Sequence, residues 1–201
     1  MPISDRFLKQ TEKDPENRVF FEIGTLEGNG IRDALNHGYD RIISVEIVKD
    51  YYEDCKNRFS EEIKSGKVTL IHGDAADHIQ MVSDIKQPIT FFVDAHFDDK
   101  HYDDLKKETD DVPPEESFAY EHIREFLNNN SNPDNKIIVD DIDTMLRGDN
   151  FWSKDMKYRL QGIIDLVVEF FKERNIETSF TIHSGFDKRP NDILLFEFER
   201  I

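Results

Sequence analysis

Five short runs, Val19–Ile23, Ile42–Ile47, Val68–His72, Ile89–Val93 and Lys136–Val139, are apolar at consecutive positions and rich in β-branched and aromatic residues. A strand with one face in water alternates apolar and polar side chains, whereas a strand apolar on both faces must be covered on both. Helical patterns lie between these runs, at Asn29–His37, Asp50–Ser65, Ala75–Ile85 and Glu115–Asn129, and Gly38 and Gly66 stand where C-terminal caps belong. Strand–helix alternation joins parallel neighbours through right-handed crossovers, so the pattern predicts an α/β fold built on a Rossmann-like, doubly wound sheet.

The C-terminal part breaks the alternation. Met156–Arg174 carries Leu160, Ile163, Ile164, Val167, Phe170 and Phe171 near helical spacing, and predicts one last long helix. Thr178–His183 and Ile193–Phe198 then flank the turn-rich segment Ser184–Asp192. Two strands joined by a loop alone pair antiparallel, because a parallel pair needs a crossover of a dozen or more residues. The expected sheet is seven-stranded, mostly parallel, with an antiparallel strand at its C-terminal end. Residues 1–201 read as a single domain. Its one compositional break is Asp98–Glu116, where nine acids, three lysines and Pro113–Pro114 suggest an inserted loop able to serve as an active-site lid.

Charge narrows the partners. Asp plus Glu number 43 against 26 Lys plus Arg, a formal net charge of −17. Nucleic acids and anionic membrane surfaces are both bound through cationic groups, so neither is expected. The lone Cys55 allows no internal disulfide, and the N-terminus has no apolar signal core, so a cytoplasmic location is expected. A homo-oligomer is left open.

Ligands of open α/β sheets sit beyond the carboxyl ends of the strands. The first such end reads Glu22-Ile23-Gly24-Thr25-Leu26-Glu27-Gly28-Asn29-Gly30, a turn in which Gly24 and Gly28 let the backbone come close to a ligand. It lacks both the dinucleotide G-x-G-x-x-G spacing and the G-K-[ST] of a phosphate-binding P-loop. Glu46 ends the second run, 22 residues after Gly24, where a carboxylate accepts hydrogen bonds from a ribose diol or simply meets solvent. Asp74, after the third run, is placed either to receive an adenine amino group or to cap the helix beginning at Ala75. The fourth run ends in Asp94 and the fifth in Asp140 and Asp141. Three acids at neighbouring strand ends repel unless protonated, hydrogen-bonded or bridged by a cation, and an all-oxygen set suits Mg²⁺. His96, two residues beyond Asp94, is the first candidate for a general base.

Together these segments resemble class I S-adenosylmethionine-dependent methyltransferases, and in particular the metal-dependent small-molecule O-methyltransferases of the catechol O-methyltransferase type. The resemblance rests on the E-x-G-x-x-x-G pattern of Glu22–Gly28, on Glu46 and on Val68–Ala75, and it extends over residues 20–198. It implies that Glu22, Gly24, Thr25, Gly28 and Asn29 line the methionine part of S-adenosylmethionine. Glu46 would hold the ribose, Ile47 would lie beside the adenine, and Asp74 and Ala75 would meet the adenine edge. Asp94, on the cofactor's side, would join Asp140 and Asp141 in binding a divalent metal, with Mg²⁺ the expected ion. Catechol-type members carry a catalytic Lys three positions after the first of these acids, where this chain has Phe97. Lys100 or His101 could take its place. Sugar-modifying relatives carry a His near the equivalent of His96.

The implied function is methyl transfer to the hydroxyl of a small molecule, a sugar or an aromatic. The acidic insert favours a neutral or cationic acceptor over a phosphorylated one. The alternatives are a non-catalytic nucleotide- or metabolite-binding domain and a metal-independent N-methyltransferase.

Overall fold

All five apolar runs form strands, and four of them are buried on both faces, while Val68–His72, at the sheet edge, is partly exposed. A computed structural model describes residues 5–8, 18–94, 118–142, 160–184 and 193–200. The strands are β1 (Val19–Ile23), β2 (Arg41–Glu46), β3 (Val68–His72), β4 (Ile89–Val93), β5 (Lys136–Val139), β6 (Ile176–His183) and β7 (Ile193–Arg200). They form one sheet in the order β3-β2-β1-β4-β5-β7-β6. The first five are parallel, while β7 runs antiparallel to both β5 and β6. The expected mostly parallel, seven-stranded α/β sheet with an antiparallel C-terminal end is therefore the one observed.

Side chains on either face enter separate cores. Phe21 and Ile23 of β1, Phe91 and Val93 of β4 and Val139 of β5 pack under α5 (Phe118–Asn129) and α6 (Leu160–Lys172). Phe20, Ile42, Phe92 and Ile138 point the other way. They meet α1 (Asp5–Leu8), α2 (Asn29–Asn36), α3 (Lys49–Arg58) and Phe59, with α4 (Ser60–Lys64) adjoining. Glu22, Ser44 and Glu46 share the α2–α3 face by the two-residue period of their strands. Among the described residues no helix is long and apolar enough to cross a membrane.

Several element boundaries differ from the sequence reading, among them β2, which runs one residue earlier at both ends, and β7, which ends two residues later. The helix expected over Asp50–Ser65 is interrupted at Phe59, whose backbone (φ −102°, ψ 26°) leaves the helical region while its ring is buried beside Gly28. The segment expected as a helix over Ala75–Ile85 forms two 3-10 helices, Ala75–Asp77 and Ile79–Asp84. Its buried residues Ile79, Val82 and Ile85 recur every third position, and three residues per turn keeps them on one side. Strand β6 starts two residues earlier than expected because its pairing continues to Ile176↔Arg200. The acidic insert and the segment before Leu160 lie outside the described residues.

The Phe126 ring stacks on Phe91 at 4.3 Å between centroids and 8° between planes, fixing α5 to the centre of the sheet. Phe126→Ala empties a fully buried site and is expected to lower the unfolding free energy by about 3–5 kcal/mol. Urea denaturation measures this directly.

Candidate functional site

The parallel ladder runs one step past the end of each strand. Gly73 N–H donates to Glu46 O (2.9 Å), Gly24 N–H to Val45 O (3.0 Å), Asp94 N–H to Ile23 O (3.0 Å) and Asp140 N–H to Val93 O (3.1 Å). These bonds align Gly73, Glu46, Gly24, Asp94 and Asp140 along a single edge. The strand order reverses there, since β1 pairs with β2 on one side and β4 on the other. Such a reversal opens a crevice in doubly wound sheets.

Glu46 holds the two turns beside this crevice. Its Oε2 accepts from Leu26 N–H (2.7 Å) and its Oε1 from Val48 N–H (2.8 Å). Leu26 sits at φ 47°, a left-handed conformation costly for a branched side chain, and the Glu46 bond offsets that cost. The turn closes with Gly28 N–H donating to Thr25 O (2.7 Å). Burial raises the Glu46 pKa, and the amide donors act against that rise. The Ile47 and Thr25 amides reach the same carboxylate, so four backbone donors surround it.

Glu22 lies beneath the same turn, 1% exposed. Ser44 Oγ–H donates to Glu22 Oε2 (2.5 Å), so Thr25 Oγ1 (2.6 Å away) donates to Ser44. A Cβ on Gly30 would stand 1.7 Å from Glu22 Oε1, so only glycine admits this carboxyl. Burial pushes the Glu22 pKa up to about 8. Glu22 thus lies beneath the turn and holds its proton more tightly than an exposed carboxyl does. Ser44 is the residue that the sequence reading passed over. Its signal was a lone hydroxyl within Ile42–Ile47, in register with Glu22 on the adjoining strand.

The remaining residues around the turn have identifiable partners. Gly28, at φ 71°, leaves room for Phe59, whose Cε2 would be 2.5 Å from a Cβ there. Cys55 Sγ–H donates to Leu26 O (3.3 Å), and burial pushes its thiol up to about 11, which makes it a packing group and a poor nucleophile. Asn29 Oδ1 accepts from Arg32 (2.6 Å), and Ile47 O lies 3.2 Å from His72 Nε2. Asp74 accepts from Ala76 N–H (2.9 Å), capping the 3-10 helix that begins at half-buried Ala75.

At the other end of the row, Asp94 and Asp140 come together. Burial first, and then the Asp140 carboxylate, raises the Asp94 pKa well above the ordinary value. Asp140 Oδ1 accepts from Asp141 N–H (2.9 Å), Asp141 has a left-handed backbone at φ 55°, and its charge adds to the rise at Asp94. Among the described residues no three His, Cys, Asp or Glu side chains gather as a metal site, so the three-carboxylate arrangement expected from the sequence is not assembled there. His96, Lys100 and His101 lie outside the described residues. A groove of about 500 Å³ between α5 and α6 is lined by Tyr120, Leu166 and Phe170 with Asp165 and Glu169, and none of the strand-end residues enters it.

Known structures share this architecture. The O-methyltransferase TomG of Streptomyces achromogenes, solved with S-adenosylmethionine, superposes with a TM-score of 0.58 at 16% identity over 90% of this chain and 72% of that one. The methyltransferase PaMTH1 of Podospora anserina, bound to S-adenosylhomocysteine, gives 0.55 at 13% identity over 90% and 72%. An O-methyltransferase of Bacillus cereus, also with S-adenosylhomocysteine, gives 0.51 at 17% over 90% and 74%. The chain has the Rossmann-like methyltransferase fold. At these identities the likeness is one of fold. No protein-family profile matches the chain. A curated relative, a probable ribosomal RNA small subunit methyltransferase A of Methanospirillum hungatei, is 37% identical over 87 residues, covering 39% of this chain and 34% of that protein.

The Glu22 carboxyl provides a pH test. Its folded pKa, about 8, lies above the ordinary value of 4.5, so its contribution to stability is full below pH 4.5 and fades as pH rises towards 8. Glu22→Gln keeps the shape and removes the titration. The variant is expected to gain on the wild type between those pH values, by on the order of 5 kcal/mol at most. Denaturant midpoints measured across the pH range check this.

Proposed function

We propose that the protein transfers the methyl group of S-adenosylmethionine to a hydroxyl of a small molecule. The observation carrying this reading is the strand-end row, with the glycine turn clasped by Glu46 at the point of strand reversal and an acid pair at the ends of the next two strands. In this reading the Glu46 carboxylate faces the ribose hydroxyls, and the turn from Gly24 to Asn29 lies along the methionine. Ile47, Asp74 and Ala75 border the adenine.

The reaction is an in-line displacement at carbon. The acceptor oxygen forms a bond to the methyl carbon as the carbon–sulfur bond breaks, and the electron pair of that bond stays on sulfur. Alignment supplies much of the acceleration in such a step. The hydroxyl proton goes to a base. His96, two residues after Asp94 in sequence, is the candidate to receive it, which leaves the Asp94 carboxylate for a cation.

Asp94 and Asp140 also fit a hard divalent cation, because two carboxylates completed by water form an ordinary Mg²⁺ donor set and the ion would relieve their repulsion. Bound there, it would lower the pKa of the acceptor hydroxyl. The expected acceptor is a neutral or cationic sugar or aromatic. The relative named for ribosomal RNA suggests a second acceptor class, against which the net charge of −17 weighs.

Transfer of labelled methyl from S-adenosylmethionine to panels of catechols, glycosides and ribosomal RNA separates these readings. Label in a small-molecule hydroxyl is expected, and label in RNA alone would refute the assignment. Asp94→Asn is expected to lower kcat by about 10²-fold or more with little change in the KM for the methyl donor. Chelation is expected to suppress turnover and Mg²⁺ to restore it; full activity in chelator would remove the cation from the site.

A further inference from the structure

Strand β6 ends the sheet, and no described strand pairs with its outer edge. Phe180 and Ile182, both on β6, are the large apolar side chains most exposed among the described residues, at 43% and 39%. Two residues apart, they share a face. That face is the α6 side, because their register partners Phe196 and Leu194 belong to the core beneath α6. Ile176, at the start of the strand, packs against that core, so apolar cover runs out towards Phe180.

Sheet edges that stay single are usually short, bulged or guarded by charge. β6 has none of these protections. It is eight residues long, pairs with β7 without a bulge, and carries no charge from Thr178 to Ile182.

We propose that β6 pairs antiparallel with β6 of a second copy of the chain, about a twofold axis at Phe180, so that two seven-stranded sheets become one. Residues directly opposite in such a pair lie on the same face of the sheet, so a twofold axis must pass through a residue. Centred on Phe180, the register sets Phe180 on the partner's Phe180 and Thr178 against the partner's Ile182. On the opposite face, Ser179 meets the partner's Thr181 and Glu177 meets the partner's His183. Aromatic and Ser/Thr cross-strand pairs of this kind each favour pairing.

His183 has its Nε2 2.7 Å from Thr181 Oγ1 and its ring edge-on to Phe7 at 5.1 Å, on the same face as Glu177. An axis at Ser179 would face Glu177 with the partner's Thr181, and one at Thr181 would leave Glu177 beyond the end of the partner's strand. The Phe180 register is the one of the three that sets Phe180 on its own mate and Glu177 against an imidazole. Two chains of −17 repel, so the dimer forms more readily as salt screens them.

Light scattering at moderate ionic strength tests the proposal. The wild type is expected to show a mass of two chains that grows in population with protein concentration. Phe180→Lys places two like charges on the axis, and is expected to weaken the dimer at least about tenfold while leaving the circular dichroism unchanged. If that variant fails to fold, Ile182→Ser is expected to give the same weakening. Phe180→Cys is expected to cross-link to its symmetry mate on mild oxidation and Ser179→Cys is not, and the native Cys55, being fully buried, does not interfere. A single-chain mass at every concentration overturns the proposal. So does cross-linking of Ser179→Cys as ready as that of Phe180→Cys, and so does a dimer that Phe180→Lys leaves intact.

Discussion

The Glu46 carboxylate joins two turns that the sheet alone would leave independent. The strands end at a common edge, but the backbone beyond β1 and beyond β2 has no ladder to follow. Glu46 supplies one, accepting from Leu26 on one turn and from Val48, at the start of α3, on the other. The left-handed backbone at Leu26 depends on this bond, and the close turn from Thr25 to Gly28 follows from it. The packing of Phe59 and Cys55 against Gly28 depends in turn on that path. Below, the Glu22–Ser44–Thr25 chain fixes the floor of the same turn from within the α2–α3 core. The two buried acids therefore divide the work. One fills the space beneath Gly30, and the other is held by backbone amides at the strand end.

Most of this was legible in the chain because burial on both faces leaves a plain mark. β1, β3, β4 and β5 fall where their apolar runs begin and end, and the acids that follow β2, β4 and β5 stand at strand ends as expected. What was less legible depends on contacts distant in sequence. The interruption at Phe59 comes from a ring that packs beside a glycine 31 residues earlier. The 3-10 geometry of Ile79–Asp84 was written in the three-residue spacing of Ile79, Val82 and Ile85, a pattern easily taken for a short α-helix. Ser44 escaped notice because one hydroxyl in an apolar strand gains meaning only when the register sets it opposite Glu22. The left-handed backbone at Asp141, next to the Asp94–Asp140 pair, is a local feature that a sequence does not announce.

The acidic surplus acquires a structure of its own. Four acids, Glu22, Glu46, Asp94 and Asp140, are drawn into the strand-end row, where burial raises the pKa of the first three. Such groups hold protons or attract cations and hydroxyl donors, and a crevice that gathers them is poorly suited to phosphate. A sulfonium-bearing nucleoside with a neutral acceptor is consistent with that electrostatic character.

Calorimetric titration with S-adenosylhomocysteine bears most directly on this account. Saturable one-to-one binding to the wild type is expected, with Glu46→Ala at least about tenfold weaker because the diol and the clasp are lost together. Absence of binding by the folded wild type at millimolar ligand, or equal affinity in the Glu46→Ala variant, would contradict it.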